Sequence, residues 1–374
     1  MALRKVSSSR MQIYSDPGKD HPTPKPHPGS YEWWYFDGIS DDLKYSFVII
    51  FYQGNPFSSR YMNSLSQNKS RALAEAYPAM SISVYEHNKP IFYSMSEYPA
   101  DQCLFSTEHV NIRIGNNTLS ARRERGSLSC RLTLAETLPS GDTLSADLSF
   151  ESRDIPVDLL TENVDSGEGP MHSWNLIQPE ARVNGQIGVS ENGRISRCVP
   201  FAGTGYHDHN LGSEPIDRKF ADWYWGRFHF DAGTFIFYIM NTASGRVCRA
   251  WLIDPVNEKG VMKFDQVSLS EPQLNGFLLS SNRKLEFTNS EAQVYIQLDH
   301  SLDSGPFYMR FSAQAVMHST VQHMIARKQG ITEYLRPSRI HSRIFRPLVN
   351  MRRRYVGEKP HWVQRSPRLY RWTW

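Results

Sequence analysis

Two segments of this sequence, separated by about half of the chain, are near copies of each other. The first reads EWWYFDG from Glu32 and continues into the aromatic and β-branched run YSFVIIFY; the second reads DWYWGR from Asp222 and continues into TFIFYIM. Each combines an acidic residue, three aromatic residues, a turn with glycine and a run of high β propensity. The repetition predicts two related β units, and aromatic walls in β folds commonly bind apolar ligands.

Short strand signals extend along most of the chain. Aromatic or alternating apolar runs begin with Tyr45–Tyr52 and recur as far as Phe307–Ala313, with turn sequences such as GNN at 115–117 and PSGD at 139–142 between them. Short strands at this spacing predict an all-β fold of antiparallel sandwiches or barrels rather than βαβ units. Neither a GxGxxG nor a P-loop sequence occurs, so no nucleotide cofactor is expected.

The chain length of 374 residues is sufficient for two domains of ordinary size. A stretch rich in Asp, Glu, Pro and Gly between Glu151 and Gly169 is the expected boundary. We therefore predict a polar N-terminal arm (1–28), a first β domain (29–165), a second β domain (166–335) and a basic, aromatic C-terminal extension (336–374). The arm lacks the apolar region of a signal peptide, and no run approaches the roughly 18 apolar residues of a membrane span.

The cysteines are few and widely spaced, and they form no CxxC pair: Cys103, Cys130, Cys198 and Cys248. This spacing argues against a zinc site and against a dense disulfide framework. It is compatible with a reducing cytoplasm, where we expect the protein to be located.

The charge of the protein is unevenly distributed. Residues 336–374 contain eleven basic residues and one acidic residue, whereas the rest of the chain contains 31 basic and 37 acidic residues. The extension also contains the run Arg352–Arg354 and ends in YRWTW, and arginine beside tryptophan suits an anionic membrane surface. A solvated extension packed loosely on the body is an equally good interpretation. Nucleic acid is a weaker candidate partner, because the charge is confined to one end of the chain.

Two polar clusters follow the expected boundary: HSW at 172–174 and GTGYHDHNLG at 203–212. In an extended strand, alternate side chains share a face, so Tyr206, Asp208 and Asn210 would lie on one side and the two intervening histidines, His207 and His209, on the other. His172 and Trp174 would likewise share a face. A candidate site combines the face of Tyr206 and Asp208 with the face of His172 and Trp174. Rings from the two aromatic strands would cover it: Trp34, Tyr35, Trp223, Tyr224 and Trp225.

Such a site suggests acid chemistry on an apolar substrate. An aspartate covered by aromatic rings loses hydration, which favours its neutral form, and a neutral carboxylic acid can protonate an alkene. The faces of Trp and Tyr would stabilise the resulting carbocation. Water held by His172 or Tyr206 could then add to give a tertiary alcohol, or an internal double bond could attack to give a ring.

Other interpretations of the same residues stay open. His207 and His209 with Asp208 resemble a metal cluster, but one strand places the aspartate on the opposite face from the histidines. Asp208 and Asn210 could instead close a turn through bonds to the backbone. The strand aromatics could be ordinary core residues.

The quoted motifs resemble those of the carotenoid 1,2-hydratase (hydroxyneurosporene synthase) family, whose wider group includes AttH-like proteins and, more distantly, fungal Diels–Alderases. The matching stretches are EWWY at 32–35, HxW at 172–174 with the following P and ARV, GxGYxDxNxG at 203–212 and WYWGR at 223–227. The resemblance implies two lipocalin-like β-barrel domains with the active pocket at or near their junction. It also implies cofactor-independent addition of water to the end of an isoprenoid chain.

The resemblance further implies roles for individual residues. Asp208 would be the proton donor, Trp174 and Tyr206 would stabilise the cation, and His172 would orient or deprotonate water. The residues expected to contact substrate are Trp34, Tyr35, Trp223, Tyr224, Trp225, Asn210, His207 and His209. No cofactor or metal is expected.

The leading hypothesis is therefore a hydratase of an apolar polyene or isoprenoid, working in the cytoplasm and at the inner face of the membrane. Two alternatives stay open: a polyene cyclase or pericyclase, and a non-catalytic, lipocalin-like carrier of an apolar ligand.

Overall fold

The computed structural model describes residues 10–67, 72–124, 126–154, 159–165, 171–191, 193–242, 245–254, 260–319 and 324–374. Over these residues the fold is nearly all-β, as predicted. Four short helices are α1 (Ser59–Ser66), α2 (Ile216–Lys219), α3 (Arg346–Arg352) and α4 (Pro367–Trp372), and single 3-10 turns occur at Pro17–Lys19, Ala74–Ala76, Ala100–Gln102, Pro337–His341 and Trp362–Arg365.

The strands, in chain order, are β1 (Arg10–Tyr14), β2 (Tyr31–Ser40), β3 (Tyr45–Gln53), β4 (Ala79–Glu86), β5 (Lys89–Glu97), β6 (Cys103–Phe105), β7 (Asn111–Ile114), β8 (Asn117–Glu124), β9 (Ser127–Thr137), β10 (Thr143–Arg153), β11 (Thr161–Asp165), β12 (Met171–Glu191), β13 (Arg194–Gly212), β14 (Asp222–Phe230), β15 (Gly233–Thr242), β16 (Gly245–Ile253), β17 (Val261–Phe264), β18 (Gln266–Leu274), β19 (Ser280–Thr288), β20 (Ala292–Ser304), β21 (Tyr308–Ser319), β22 (Met324–Leu335) and β23 (Arg354–Tyr355).

The described chain divides into two compact units. The large unit comprises residues 10–216 and 343–374, and the small unit comprises residues 217–342. The sheet of the large unit has the order β23-β5-β4-β3-β2-β13-β12-β10-β9-β8-β7-β6, with β1 parallel to β12 and antiparallel to β11. The sheet of the small unit has the order β17-β16-β15-β14-β22-β21-β20-β19-β18.

The duplicated aromatic segments form equivalent hairpins in the two units. In the large unit β2 lies between β3 and β13, and in the small unit β14 lies between β15 and β22. Both hairpins are antiparallel and have an almost entirely buried first strand. The predicted duplication of a β unit is therefore confirmed by the order of the strands.

The core of the large unit is formed by every second side chain along its strands. In β9 and β10 buried and more exposed residues alternate, and Leu132 and Leu148 pair across the two strands with both side chains fully buried. Burial of each such side chain stabilises the fold by about 1.5–3 kcal/mol. Strand β2 is different, because all ten of its residues are buried and both of its faces are therefore covered.

The boundary between the two units differs from the one predicted from amino-acid composition. The boundary expected near residue 166 lies at 216–217, because β12 pairs with β10 and β13 pairs with β2 in the sheet of the large unit. Part of the Asp/Glu/Gly-rich stretch lies outside the described residues. The predicted polar arm also belongs to the large unit from Arg10 onward, with Met11 and Ile13 buried in β1.

From Arg343 onward the basic extension is an ordered part of the large unit, so the interpretation as a loosely packed tail is wrong for this part. Arg353 is buried and lies 3.1 Å from a carboxylate oxygen of Glu97, and Arg371 lies 3.1 Å from the carboxylate of Asp142. The ring of Tyr370 is buried in the hydrophobic core. The positive charges of Arg353 and Arg371 are thus paired inside the large unit. Within the described residues, no helix is both long enough and apolar enough to cross a membrane.

Candidate functional site

Three adjacent strands of the large unit bring the predicted polar residues together. Strand β13 lies between β12 and β2, and its Asp208 is opposite Leu176 on β12 and Tyr35 on β2. Trp174 on β12 is opposite Asn210. Directly opposed residues in an antiparallel pair project to the same face. The predicted common face of Tyr206, Asp208 and Asn210 is therefore present.

The carboxyl group of Asp208 is held by three donors. Its Oδ2 accepts hydrogen bonds from the indole Nε1 of Trp174 at 2.7 Å and from the hydroxyl of Tyr206 at 2.8 Å. Its Oδ1 accepts a hydrogen bond from Nδ2 of Asn210 at 2.8 Å. All four residues are buried. We call them the Asp208 cluster; within it, neutral donors fix both oxygens of an acidic group in one orientation.

Tyr206 acts in this cluster as a neutral phenol. Burial raises its pKa well above the ordinary value, and the hydrogen bond with Asp208 raises it further. The hydroxyl therefore keeps its proton over the whole physiological range. It donates that proton to Asp208 in a hydrogen bond.

His172 is positioned by a residue that the sequence analysis did not select. Its Nδ1 is hydrogen-bonded at 2.8 Å to the hydroxyl of Tyr31, the first residue of β2. The two residues belong to strands on either side of β13, and Gly212 is the β13 residue paired with both. A Cβ at Gly212 would lie 2.2 Å from Cζ of Tyr31. The last glycine of the motif therefore leaves the space through which Tyr31 reaches His172.

Aromatic rings form a panel beside these polar groups. Tyr31 and Trp33 stack with centroids 5.2 Å apart and an interplanar angle of 15°. Trp33 also lies 6.2 Å from the ring of His172, and Tyr35 meets Tyr206 edge to face at 6.2 Å. Alternation along β2 already places Tyr31 and Trp33 on the face of Tyr35, so the sequence contained the signal that would have identified them.

The histidines of the motif lie on the other face of β13. His207 contacts Asp20 and stacks on Phe36, and His209 contacts Glu32 and stacks on Trp34. His207, His209 and Trp34 were expected to contact substrate. All three lie on the face opposite the Asp208 cluster, where Trp34 belongs to the hydrophobic core, and their contact with substrate stays a prediction.

The aromatic residues of the second copy belong to the small unit. Tyr224 lies in the core of that unit, with its ring 4.4 Å from the ring of Tyr334. Its hydroxyl accepts a hydrogen bond from the backbone N–H of Asn282 at 2.7 Å. Tyr224 is therefore a core residue of its own unit. Trp223 and Trp225 project to the other face of β14, and their expected contact with substrate stays a prediction.

Comparisons with known proteins agree with the fold and the motifs. The sequence model described as "Carotenoid hydratase CrtC" matches residues 49–362. The chain is 29% identical over 339 residues to a hydroxyneurosporene dehydrogenase of Chlorobaculum tepidum, with 85% of each protein covered. It is also 29% identical over 224 residues to an acyclic carotenoid 1,2-hydratase of Rubrivivax gelatinosus; the match covers 59% of this chain and half of that relative.

A solved structure supports the same architecture. The fold is similar to that of an AttH-type protein from Nitrosomonas europaea, with a TM-score of 0.54 and 16% identity. The similarity covers 86% of this chain and 98% of that protein. At this level of identity the likeness establishes a common lipocalin-like β fold.

Proposed function

The chain belongs to the carotenoid hydratase CrtC family, and from that premise we propose that it is a hydro-lyase that adds water to a C=C bond of an apolar isoprenoid of the carotenoid class. The observation that carries the proposal is the Asp208 cluster, a buried carboxyl group held by three neutral donors beside an aromatic panel. An isoprenoid alkene offers no polar group to bind. A site for it needs an acid, a way to stabilise a cation and a position for water.

In the proposed reaction Asp208 is the general acid. Its O–H bond breaks as a C–H bond forms at one alkene carbon, and the positive charge develops on the other carbon. The three donors stabilise the carboxylate that this step creates, so they act most strongly on the charge-separated state rather than on the resting acid. Each hydrogen bond to a charged group contributes about 1.5–3 kcal/mol.

For the aromatic residues we propose roles that differ from those implied by the resemblance. Trp174 and Tyr206 were expected to stabilise the cation with their ring faces, but their N–H and O–H groups are directed at Asp208. We assign cation stabilisation to the rings of β2 instead, chiefly Trp33 and Tyr35, whose electron-rich faces attract positive charge.

His172 is assigned to water. Tyr31 fixes the orientation of its ring, and it lies two residues from Trp174 on the same face of β12. Water forms the new C–O bond at the cationic carbon and releases a proton to His172, from which Asp208 is reprotonated. Every step is a proton transfer or an addition, so the proposed reaction requires no cofactor.

Product analysis tests the proposal. The purified chain is incubated with acyclic carotenoids and with squalene-type polyenes in detergent, and product mass and retention are followed. A product heavier by one water, formed by the wild type and lost in Asp208→Asn, supports hydration. Loss of two hydrogens would instead indicate dehydrogenation, an unchanged mass with new retention would indicate cyclisation, and recovery of intact bound polyene would indicate a carrier.

The Asp208→Asn variant is suited to this test. The oxygen of the new amide can accept from Trp174 and Tyr206, and its N–H₂ can donate to Asn210 once that amide has rotated by half a turn. The variant therefore loses the acid while keeping the cluster. Asp147→Asn, at an exposed pair with Arg131 on β9, is the matched control.

We further propose that the large unit associates with an anionic membrane surface, where an apolar isoprenoid resides. Although Arg353, Arg354 and Arg371 are paired with acidic residues, other residues of the extension are exposed. Trp362, Leu369 and Trp372 are exposed on neighbouring turns, and Arg365 and Arg368 are exposed beside them. Tryptophan with arginine suits the headgroup region of a bilayer.

Co-sedimentation with vesicles of mixed neutral and anionic lipids tests this surface. Trp362→Ala with Trp372→Ala should reduce binding several-fold, whereas Leu278→Ala, at an equally exposed apolar residue of the small unit, should not. Equal sedimentation of the double variant and the wild type would remove the membrane proposal and leave the hydratase proposal untouched.

A further inference from the structure

We propose that Asp20, Cys130 and His207 bind a divalent metal ion of the zinc type inside the large unit, on the face of β13 opposite the Asp208 cluster. A carboxylate oxygen, the thiol sulfur and a ring nitrogen lie within 4.8 Å of one another. All three residues are at most 1% exposed. They come from the turn before β2, from β9 and from β13, so the site is independent of the residues proposed for hydration.

The hydrogen bonds of His207 support a metal ligand. Its Nδ1 lies 3.0 Å from the backbone oxygen of Tyr35, which can only accept, so Nδ1 carries the hydrogen. Its Nε2 then presents a lone pair towards Oδ2 of Asp20 at 3.1 Å. A metal ion between these two atoms uses both lone pairs. A histidine that donates its other N–H to a backbone carbonyl is the usual arrangement at protein metal sites.

The spacing and the rigidity of the ligands fit the same interpretation. Two tetrahedral zinc ligands with bonds of about 2.0–2.2 Å lie roughly 3.4 Å apart, close to the separation between His207 and Asp20. The ring of His207 is stacked on Phe36 with centroids 3.8 Å apart. The backbone oxygen of Asp20 accepts a hydrogen bond from the indole of Trp34 at 2.8 Å. The nitrogen and carboxylate ligands are thus both held in place.

Charge balance favours a divalent ion. A cysteine binds zinc as the thiolate, so its proton is released when the ion binds. One thiolate, one carboxylate and one neutral imidazole make a neutral site with a 2+ ion. A mixed set of sulfur, nitrogen and oxygen ligands suits zinc.

His209 lies beside the three ligands. Its Nδ1 is 3.5 Å from Oδ1 of Asp20, and its Nε2 is hydrogen-bonded to Glu32 at 2.9 Å. The ion would attach the segment before β2 to β13 and so stabilise the large unit.

Cobalt substitution tests the proposal on the full chain. The protein is produced in medium that supplies Co²⁺ in place of zinc, so that the ion can enter during folding. About one cobalt per chain is expected, with the near-ultraviolet charge-transfer absorption of a cobalt–thiolate bond. Cys130→Ser should lose that absorption, and Cys198→Ser, at an exposed cysteine, should keep it.

A second measurement needs no variant. X-ray absorption at the zinc edge of the wild-type chain should show one sulfur ligand among nitrogen and oxygen ligands. Removal of the ion by unfolding and refolding with a chelator should lower the melting temperature. The proposal is overturned if the wild type carries metal far below one ion per chain, or if Cys130→Ser retains the charge-transfer absorption.

Discussion

Replacement of Gly212 by alanine should break the hydrogen bond between Tyr31 and His172. Gly212 pairs with Tyr31 on one side and with His172 on the other, and the hydroxyl of Tyr31 is hydrogen-bonded across it to Nδ1 of His172 at 2.8 Å. The added methyl carbon would lie 2.2 Å from Cζ and 2.4 Å from the hydroxyl oxygen of Tyr31. Carbon atoms in normal contact are about 3.5–4.0 Å apart.

The size of the effect follows from these distances. The ring of Tyr31 must retreat by roughly 1.3 Å or more to restore a normal contact, and a hydrogen bond of 2.8 Å lengthened by that amount is broken. Overpacking of this kind costs about 1–3 kcal/mol, equivalent to a fall of several degrees in melting temperature. Loss of a neutral hydrogen bond of about 0.5–1.5 kcal/mol lowers the rate about two- to tenfold if His172 orients water.

The assay compares kcat for hydration and the melting temperature in three variants. Gly212→Ala should lower both. Tyr31→Phe removes only the hydroxyl, so it should lower kcat to a similar extent with a smaller loss of stability. Gly276→Ala is the control, because a Cβ there meets nothing within 4 Å. Wild-type activity in both Gly212→Ala and Tyr31→Phe would refute the assignment of His172 to water.

Three further predictions concern single side chains. Trp174→Phe removes the donor 2.7 Å from Asp208, which should lower kcat about 10- to 100-fold; a rate within twofold of the wild type would contradict the role of this bond. Burial alone would raise the pKa of Glu32, but its histidine and lysine partners bring that pKa below the ordinary value. Its contribution to stability is therefore present above about pH 4.5 and lost as the pH falls through the folded-state pKa, so urea unfolding of Glu32→Gln should depend less on pH below 5 than that of the wild type. Arg353→Ala leaves Glu97 buried without its cation and should cost about 3–5 kcal/mol in urea unfolding; a loss below about 1 kcal/mol would show that water replaces the guanidinium.

Local patterns in the sequence predicted the strands and the faces on which their side chains lie. Alternation along 206–210 separated Asp208 from His207 correctly, because the side-chain period of a strand is fixed by its backbone. The choice of neighbouring strands depends on pairing between distant segments, which alternation does not encode. Asp20 was missed for this reason, since its partner His207 lies more than 180 residues further along the chain.

Composition was a weaker guide than pattern. A run rich in Asp, Glu, Pro and Gly indicates a turn, but a turn inside one sheet and a turn between two units have the same composition. The basic extension was likewise judged by its net charge. Part of its charge is paired with acidic residues such as Glu97 and Asp142, more than 200 residues earlier in the chain, and this pairing is visible only in the fold.

The two faces of β13 make different kinds of contact. On one face Asp208 is surrounded by neutral donors and aromatic rings, an environment that can tolerate a transient charge. On the other face His207 and His209 meet Asp20 and Glu32 within the core, in a set of polar contacts that fixes the segment leading into β2. Because the same segment leads to Tyr31, those contacts hold the ring that orients His172 without touching the reacting atoms. Because side chains alternate between the two faces of a strand, β13 can present the proposed acid on one face. On its other face it can make the contacts that position the neighbouring residues.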